Sequence, residues 1–253
     1  FQILDLEHDS ENENMVDISA DDLSGIYFEN VCFRYGTGKN LFKSLDIQFE
    51  IRKINGISGE SGCGKSTILL LLQGIYPISA GRIMLGIYEM SYISRNSLSR
   101  LIACVPQKTD VFNGTIAENI ALCDQQPDIS KVIRVCHETG IMEMVEGLPL
   151  GLMTMLGENG VRLSGGELQK IALARAVYTD PEIFLFDEPT AAMDKTSEEQ
   201  FKNTVNALKN KGKTLIIVSH RESTLEICDK VQHIKDGVVS ALVQRCENAV
   251  SFC

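Results

Sequence analysis

Short apolar runs alternate with longer amphipathic stretches through most of the chain, and this pattern predicts alternating strands and helices. The stretches 183–186 and 214–218 are almost continuously apolar, as expected for parallel strands that are buried on both faces. Amphipathic stretches over 165–177 and 197–209 predict two helices. This alternation predicts an α/β fold with a mostly parallel sheet.

The first third of the chain has a different pattern. Apolar and polar residues alternate over 26–35 and 45–50, on either side of a Gly-Thr-Gly turn, which predicts two strands that lead into the next one. Further short strands are predicted at 54–58, 81–86 and 101–107. A mainly helical stretch then predicts a helical insert over about 114–165.

Polar and acidic residues fill the beginning of the chain, and we expect residues 1–22 to form a linker or tail. One domain over 23–243 and a tail over 244–253 account for the rest. The chain begins with neither Met nor a basic segment, so we expect it to be part of a longer protein. No apolar run approaches the roughly 18–20 residues needed to span a bilayer.

The net charge of −10, without a lysine- or arginine-rich block, argues against nucleic acid as a partner. The eight cysteines are scattered and contain no C-x-x-C pair. In a chain of this size they indicate reduced thiols, and neither a disulfide framework nor a zinc site.

The stretch 59–67, Gly-Glu-Ser-Gly-Cys-Gly-Lys-Ser-Thr, matches the phosphate-binding pattern G-x-x-x-x-G-K-[ST] between a predicted strand and a predicted helix. Glycines let backbone N–H groups close around phosphate oxygens, and the following helix directs its positive dipole end at the same charge. We expect Lys65 to reach the terminal phosphates and Ser66 to ligate Mg²⁺. The nucleotide-binding residues predicted in this loop are Gly59, Ser61, Gly62, Cys63, Gly64, Lys65, Ser66 and Thr67.

A second element of a P-loop nucleotidase follows the apolar strand 183–186, where the chain continues with Asp187 and Glu188. The first carboxylate would hold Mg²⁺ through water, and the second would position or deprotonate the attacking water. Gln107 ends the strand predicted at 101–107, and His220 lies just after the strand 214–218. Ligands of open α/β sheets bind at the carboxyl ends of the strands, so we expect these groups to share one site.

The order of these motifs identifies a family. Leu163 to Glu167 reads LSGGE, which follows the P-loop and Gln107 and precedes Phe186-Asp187-Glu188, Asp194 and His220. The chain, from about 23 to 242, resembles the nucleotide-binding domain of ATP-binding cassette (ABC) transporters. The resemblance implies the ABC ATPase fold: a P-loop NTPase core with a mostly parallel sheet, an antiparallel β subdomain and a helical insert.

The resemblance also implies a role for each matching residue. Tyr35, which the spacing alone leaves as either a strand aromatic or a base contact, would stack on adenine. Gln107 would touch Mg²⁺ and water, Glu188 would be the general base, and His220 would contact the γ-phosphate. The residues that would face the γ-phosphate bound by a second domain, or contact that domain, are Ser164, Gly165, Gly166, Glu167 and Asp194; Ala191 replaces the Ser or Gly usual before Asp194.

Two further segments resemble exporters within this family. Phe112, Gly114, Thr115, Ile116, Glu118, Asn119 and Ile120 fit F-x-G-T-I-x-E-N-I, and Thr154, Gly157, Glu158 and Gly160 fit T-x-x-G-E-x-G. The latter element contacts the membrane domain in ABC exporters. The phrase 56–67 is also similar to bacterial peptide and bacteriocin exporters.

We therefore predict an ATPase that hydrolyses ATP with Mg²⁺ and drives export from the cytoplasmic face of the cell membrane. Its expected partners are a transmembrane domain, fused or separate, and a second, identical nucleotide-binding domain. The alternatives are an importer ATPase, a non-transport ABC ATPase and a nucleotide-binding regulatory module. The Gly157-Glu158 pair disfavours the first, the acidic charge disfavours the second, and Glu188 with His220 disfavours the third.

Overall fold

The computed structural model describes residues 15–122, 124–158 and 160–244. The strands of this part are β1 (Ile26–Phe33), β2 (Phe42–Phe49), β3 (Ile54–Gly59), β4 (Ala80–Leu85), β5 (Tyr88–Glu89), β6 (Ile102–Val105), β7 (Gly114–Thr115), β8 (Met155–Leu156), β9 (Ile183–Asp187), β10 (Thr214–Val218), β11 (Lys230–Lys235) and β12 (Val238–Gln244). The helices are α1 (Lys65–Leu72), α2 (Arg95–Leu101), α3 (Ile116–Ile120), α4 (Ile129–Glu138), α5 (Met142–Glu146), α6 (Gly165–Thr179), α7 (Lys195–Asn210) and α8 (Glu222–Leu225). None of the described helices has both the length and the apolar character needed to cross a membrane.

A six-stranded sheet forms the centre, with the strand order β12-β11-β3-β10-β9-β6. Its neighbours pair in parallel except β11 and β12, which pair antiparallel. The predicted α/β fold with a mostly parallel sheet is therefore confirmed. Both faces of the sheet are covered: Phe184 and Phe186 belong to one core and Ile183 and Leu185 to the other. Successive side chains of β9 therefore pack into the cores on opposite faces of the sheet, which explains why the residues 183–186 are all apolar.

The second sheet is antiparallel, with the order β2-β1-β4-β5. Buried and exposed residues alternate along β2, where Phe42, Leu45, Ile47 and Phe49 are buried, because only one face of this sheet meets a core. That core also receives the buried face of α1. The predicted antiparallel β subdomain is confirmed, although β1 ends at Phe33 and leaves Tyr35 beyond the strand.

The predicted helical insert contains α3, α4 and α5, which pack on α6 in the core of the other sheet face. Its two ends meet in the short antiparallel pair β7–β8, where Gly114 faces Leu156. The insert is therefore closed at its base by main-chain hydrogen bonds.

Part of the predicted N-terminal linker, residues 15–22, lies in the described structure and packs on the domain. Val16 forms a parallel bridge with Ile93, and Ile18 is buried. The Asp17 carboxylate accepts hydrogen bonds from the hydroxyls of Ser94 and Ser97 at the start of α2. This stretch reads as polar, but one apolar side chain and these hydrogen bonds hold it on the domain. The remaining predicted tails, residues 1–14 and 245–253, lie outside the described residues.

The elements that were not predicted from the sequence include α2 and the pair β11 and β12. The strand predicted at 101–107 is shorter, because α2 runs to Leu101 and β6 occupies Ile102–Val105. The β11–β12 hairpin extends the central sheet beside β3 and turns at Asp236 and Gly237, both with positive φ. The described cysteines are free thiols: Cys32, Cys63, Cys104, Cys136 and Cys228.

Candidate active site

The phosphate loop joins β3 to α1 through glycines that no other residue could replace without strain. Gly59, Gly62 and Gly64 have φ values of 146°, 81° and 102°, in the region that favours glycine. A Cβ on Gly59 would lie 2.3 Å from the carbonyl oxygen of Ile234, and one on Gly64 would lie 2.6 Å from the Phe42 ring. The loop thus needs glycine for both its backbone conformation and its close packing.

Lys65 begins α1 and turns back over the loop. Its Nζ donates hydrogen bonds to the carbonyl oxygens of Gly59 and Glu60, both at 2.8 Å. The residue is only 9% exposed, so its charge lies against the loop and is largely removed from solvent. A cation in this position is suited to the terminal phosphates of a nucleotide.

The loop forms one wall of a cleft of about 510 Å³. The predicted residues that line it are Tyr35, Ser61, Gly62, Gly64, Lys65, Ser66, Thr67, Gln107 and Glu188. The turn between β1 and β2 adds further lining residues that the sequence reasoning missed: Gly38, Lys39, Asn40 and Leu41. The sequence feature that could have identified them is the Gly-Thr-Gly turn beside Tyr35, because a turn next to a predicted base contact can line the same cleft. Two predicted residues of the phosphate loop do not line the cleft: Gly59 ends β3, and Cys63 lines a neighbouring depression. Asp187 and His220 do not line it either, although each contacts a residue that does, Ser66 and Glu188 respectively.

Tyr35 lines the cleft and is 45% exposed. Its hydroxyl makes a 2.9 Å hydrogen bond with the Thr67 hydroxyl, which ties the ring to α1. Phe33 and Tyr76 contact the ring edge-on at centroid distances of 4.8 and 5.2 Å. The tyrosine is therefore oriented by contacts at both ends, as a stacking platform for a base requires.

Asp187 and Ser66 meet beside the phosphate loop. The Ser66 hydroxyl donates a 3.0 Å hydrogen bond to Asp187 Oδ1. Burial raises the pKa of Asp187; the Ser66 hydrogen bond opposes the rise and the Glu188 carboxylate adds to it. Hydroxyl and carboxylate oxygens are the ligands that Mg²⁺ prefers, and a cation here would offset the buried negative charge. The donor set therefore fits Mg²⁺.

Glu188 follows β9 in a left-handed backbone conformation, with φ of 48°. Its backbone N–H donates to the Val218 carbonyl at the end of β10, at 2.9 Å. Its Oε2 lies 2.8 Å from Nδ1 of His220, which follows the same strand β10. The ends of two neighbouring parallel strands thus bring the predicted base and the predicted switch histidine together.

The LSGGE residues occupy a separate depression, of about 680 Å³, that contains none of the phosphate-loop residues. Ser164, Gly165, Gly166, Glu167 and Asp194 all line it. Ser164 caps α6: its hydroxyl accepts from the Glu167 N–H at 3.3 Å, and its own N–H donates to the Glu167 carboxylate at 2.6 Å. Within one chain, the structure does not bring these residues to the cleft.

Two polar residues that the sequence analysis missed hold the loops around the cleft. Gln169 of α6 donates to the carbonyl oxygen of Gln107 at 2.8 Å. Arg175, two turns further along α6, donates to carbonyl oxygens of Asp110 and Asn119. Gln169 could have been found from its spacing: it continues the buried stripe formed by Ala172, Leu173 and Ala176.

The two exporter-like segments lie side by side. The Ile116 N–H donates to the Thr154 carbonyl at 3.0 Å, and the Glu158 N–H donates to Asn113 Oδ1 at 2.8 Å. Large apolar side chains around them face solvent, where Phe112, Leu150, Met153, Met155 and Val161 are between 41% and 65% exposed. A surface of this kind is typical of a protein-binding site.

A P-loop cleft at the carboxyl edge of a parallel sheet, with a paired carboxylate and histidine, defines the class as an NTP-hydrolysing domain. The family model described as "ABC transporter" matches residues 42–191 of this chain. The chain therefore belongs to the ABC transporter family. Members of this family hydrolyse ATP with Mg²⁺, in agreement with the predicted enzyme class and cofactors.

Known relatives support this assignment. The chain is 37% identical over 218 residues to an Aspergillus fumigatus mitochondrial iron-sulfur clusters transporter atm1, covering 86% of this chain and 30% of that protein. It is 36% identical over 234 residues to a Rickettsia bellii putative export ATP-binding/permease protein, covering 91% of this chain and 40% of that protein. It is 37% identical over 216 residues to a Ralstonia nicotianae ATP-dependent lipid A-core flippase, covering 84% and 36% respectively.

Among solved structures, a bacterial Atm1-family ABC exporter with ATP bound matches with a TM-score of 0.87 and 30% identity. The match covers 92% of this chain and 41% of that chain. The predicted ABC ATPase fold is thus confirmed. The chain spans about a third of the length of the relatives that it matches.

Proposed function

We propose that the cleft beside the phosphate loop binds MgATP and hydrolyses it as the motor of a membrane exporter. The observation that carries this proposal is the convergence in one place of Lys65, the Ser66–Asp187 pair and the Glu188–His220 pair. These groups are suited, in the same order, to phosphate binding, metal binding and activation of water.

In this proposal Tyr35 stacks on the base, while Lys65 and the loop N–H groups bind the phosphates. Ser66 and Asp187, with Gln107 at the cleft wall, hold Mg²⁺. The bound ion would neutralise charge on the phosphate oxygens. Gly59, Ser61, Gly62, Cys63, Gly64 and Thr67 shape the loop.

Glu188 is the proposed general base. Its carboxylate lines the cleft while its Oε2 contacts His220, so it can accept a proton from a water that attacks the γ-phosphate. His220 contacts Glu188 and has a side chain that is 64% exposed, so it can hold this carboxylate in position and would be free to reach the γ-phosphate. Lys65 would stabilise the charge that develops on the transferred group.

The separate position of the LSGGE depression supports a head-to-tail dimer. Ser164 and the N–H groups of Gly165 and Gly166 begin a 15-residue helix, which is a favourable place for an anion. Because they are remote from the cleft of their own chain, they would complete the site of a second, identical domain. Asp194 lines the same depression and would lie at that interface.

A membrane domain is the second proposed partner. The exposed apolar surface beside β7 and β8 would bind its intracellular loops, and the polar segment 1–22 would connect to it, in a domain that extends over 23–243. In this proposal the chain would lie at the cytoplasmic face of the membrane. The cargoes named for the relatives include iron-sulfur clusters and lipid A-core, so we assign the choice of cargo to the membrane domain. The hypothesis of peptide export is supported by the sequence segment 56–67 alone.

The solution mass of Glu188→Gln with and without MgATP tests the proposal. Removing the base should trap bound ATP, so light scattering should detect an increase from 28.0 kDa to about twice that mass. Lys65→Ala should lose the MgATP-dependent rise in melting temperature, whereas Lys43→Ala, an exposed control on β2, should keep it.

The outcomes separate the parts of the proposal. A Glu188→Gln chain that binds MgATP yet stays monomeric would contradict dimerisation of identical copies. An unchanged melting shift in Lys65→Ala would contradict the phosphate-loop assignment.

A further inference from the structure

The turn that carries Glu188 is bent into a conformation that its own residues do not favour. Glu188 has φ of 48°, which is strained for a residue with a side chain. The Ala191 N–H closes the turn by donating to the Glu188 carbonyl at 3.1 Å. Such a turn persists only where surrounding groups hold it, so the residues that contact it are candidates for a positioning role.

Arg221, the residue after His220, reaches this turn with its side chain. Its Nη2 donates a 3.0 Å hydrogen bond to the carbonyl oxygen of Ala191, the residue that closes the turn. Its Nη1 lies 3.5 Å from Oε2 of Glu198 on α7. The Ser223 hydroxyl donates to the other oxygen of Glu198 at 2.5 Å. The guanidinium is thus aimed by a carboxylate that is itself held in place.

A second hydrogen bond joins the same two segments. The hydroxyls of Thr190 and Thr224 lie 2.9 Å apart, and both residues are buried, at 1% and 0% exposure. Thr190 belongs to the Glu188 turn, and Thr224 belongs to α8, which Arg221 precedes. The turn and the segment after His220 are therefore tied together twice.

We propose that Arg221 is a positioning residue, which fixes the Glu188 turn relative to His220 and so sets the 2.8 Å contact between the two catalytic side chains. This inference rests on the proposed function, because it assumes that Glu188 and His220 act in hydrolysis. The His220 side chain is 64% exposed, so packing restrains it little and the backbone on either side must direct it.

The position of Arg221 predicts a split between turnover and binding. Arg221 does not line the cleft and contacts neither the phosphate loop nor Tyr35 among the contacts described. Its loss should therefore leave nucleotide binding intact and displace the base. A misplacement of about 1 Å at a reacting group can lower the rate by about a hundredfold.

The test measures kcat and KM for ATP in the full 253-residue chain. Arg221→Met should lower kcat about tenfold or more and change KM by less than about twofold. Arg221→Lys, which can still donate one hydrogen bond, should recover part of the loss. Lys202→Met is the matched control, because Lys202 lies 3.5 Å from the same Glu198 but none of its described contacts is with the turn. The kcat of this variant should stay within about twofold of the wild type.

A wild-type kcat in Arg221→Met would overturn the inference, and so would an equal loss of kcat in Lys202→Met. A loss of activity in Arg221→Met that higher protein concentration restores would also overturn it, because it would indicate weakened assembly. If Arg221→Met does not fold, Arg221→Lys carries the test, and a wild-type kcat with a normal melting temperature would be decisive against the role. Glu188→Gln separates the two proposals. If it hydrolyses ATP normally, both fail; if it is inactive while Arg221→Met is normal, only the role of Arg221 fails.

Discussion

Arg175 and Arg82 both use the guanidinium for polar contacts, but in different surroundings, and we predict very different effects of replacing each by methionine. Arg175 is half-buried and donates to the Asn119 carbonyl oxygen at 2.8 Å, to Asn119 Oδ1 at 2.7 Å and to the Asp110 carbonyl oxygen at 2.7 Å. Its guanidinium also lies 5.5 Å from the centre of the Phe112 ring. These contacts hold the loop that leads from β6 to β7.

The expected loss of stability in Arg175→Met follows from these contacts. A hydrogen bond to a charged group contributes about 1.5–3 kcal/mol, and half-burial lets water compensate part of each loss. We therefore expect the free energy of unfolding to fall by about 3 kcal/mol. Burial lowers the pKa of Arg175, but its guanidinium remains protonated at neutral pH, so the loss should not depend on pH near 7.

Arg82→Met is the control. Arg82 pairs with Glu29 at 2.5 Å, but the two side chains are 57% and 40% exposed. Exposed ion pairs contribute about 0–1 kcal/mol, so this variant should lie within 1 kcal/mol of the wild type.

Urea unfolding, followed by circular dichroism, measures both variants against the wild type. For chains of about 150–250 residues, 3 kcal/mol corresponds to a melting shift of about 6–12 °C, which gives an independent check. If Arg82→Met is destabilised as much as Arg175→Met, the short ion pair outweighs the half-buried hydrogen bonds and our reasoning is refuted.

Two further predictions concern local packing and thiol chemistry. Gly81→Ala should lower the melting temperature more than Gly212→Ala, although both glycines have φ near 80°. A Cβ at Gly81 would lie 2.3 Å from the Asn30 carbonyl oxygen, whereas a Cβ at Gly212 would have no described atom within 4 Å. Burial raises the pKa of Cys104 to about 12, with a contribution from Asp187, so Cys104 should resist iodoacetamide in the folded chain from pH 7 to 9. Mass spectrometry checks this, and alkylation as fast as in the unfolded chain would contradict it.

The sequence predicted the central elements well because their signals are local. The phosphate loop is a contiguous pattern, and β9 and β10 are continuous apolar runs, since both faces of those strands are covered. The Ser164 cap and its reciprocal Glu167 were likewise readable from four consecutive positions. The gathering of Asp187, Glu188 and His220 followed from the rule that ligands bind at the carboxyl ends of parallel strands.

The elements that were missed depend on distant partners. β11 alternates polar and apolar residues, and only its pairing with β3 makes it a strand of the central sheet. Asp17 looks like part of a polar tail, and its hydroxyl partners lie 77 and 80 positions further along the chain. Arg221 follows a predicted site residue, yet its acceptor Ala191 is 30 positions away. Such roles appear only when the chain is folded.

The two glycines of the LSGGE motif differ physically from those of the phosphate loop. Gly165 and Gly166 belong to helix α6 and have no positive φ, so the backbone does not require glycine there. Among the described residues, a Cβ at either position would meet only Ala192, at 3.1 and 3.3 Å, distances that require Ala192 to move by no more than a few tenths of an ångström. Neither conformation nor intrachain packing therefore explains the pair. A group that approaches the bare backbone from outside does explain it, which supports the proposal that a nucleotide held by a second copy binds at this helix terminus.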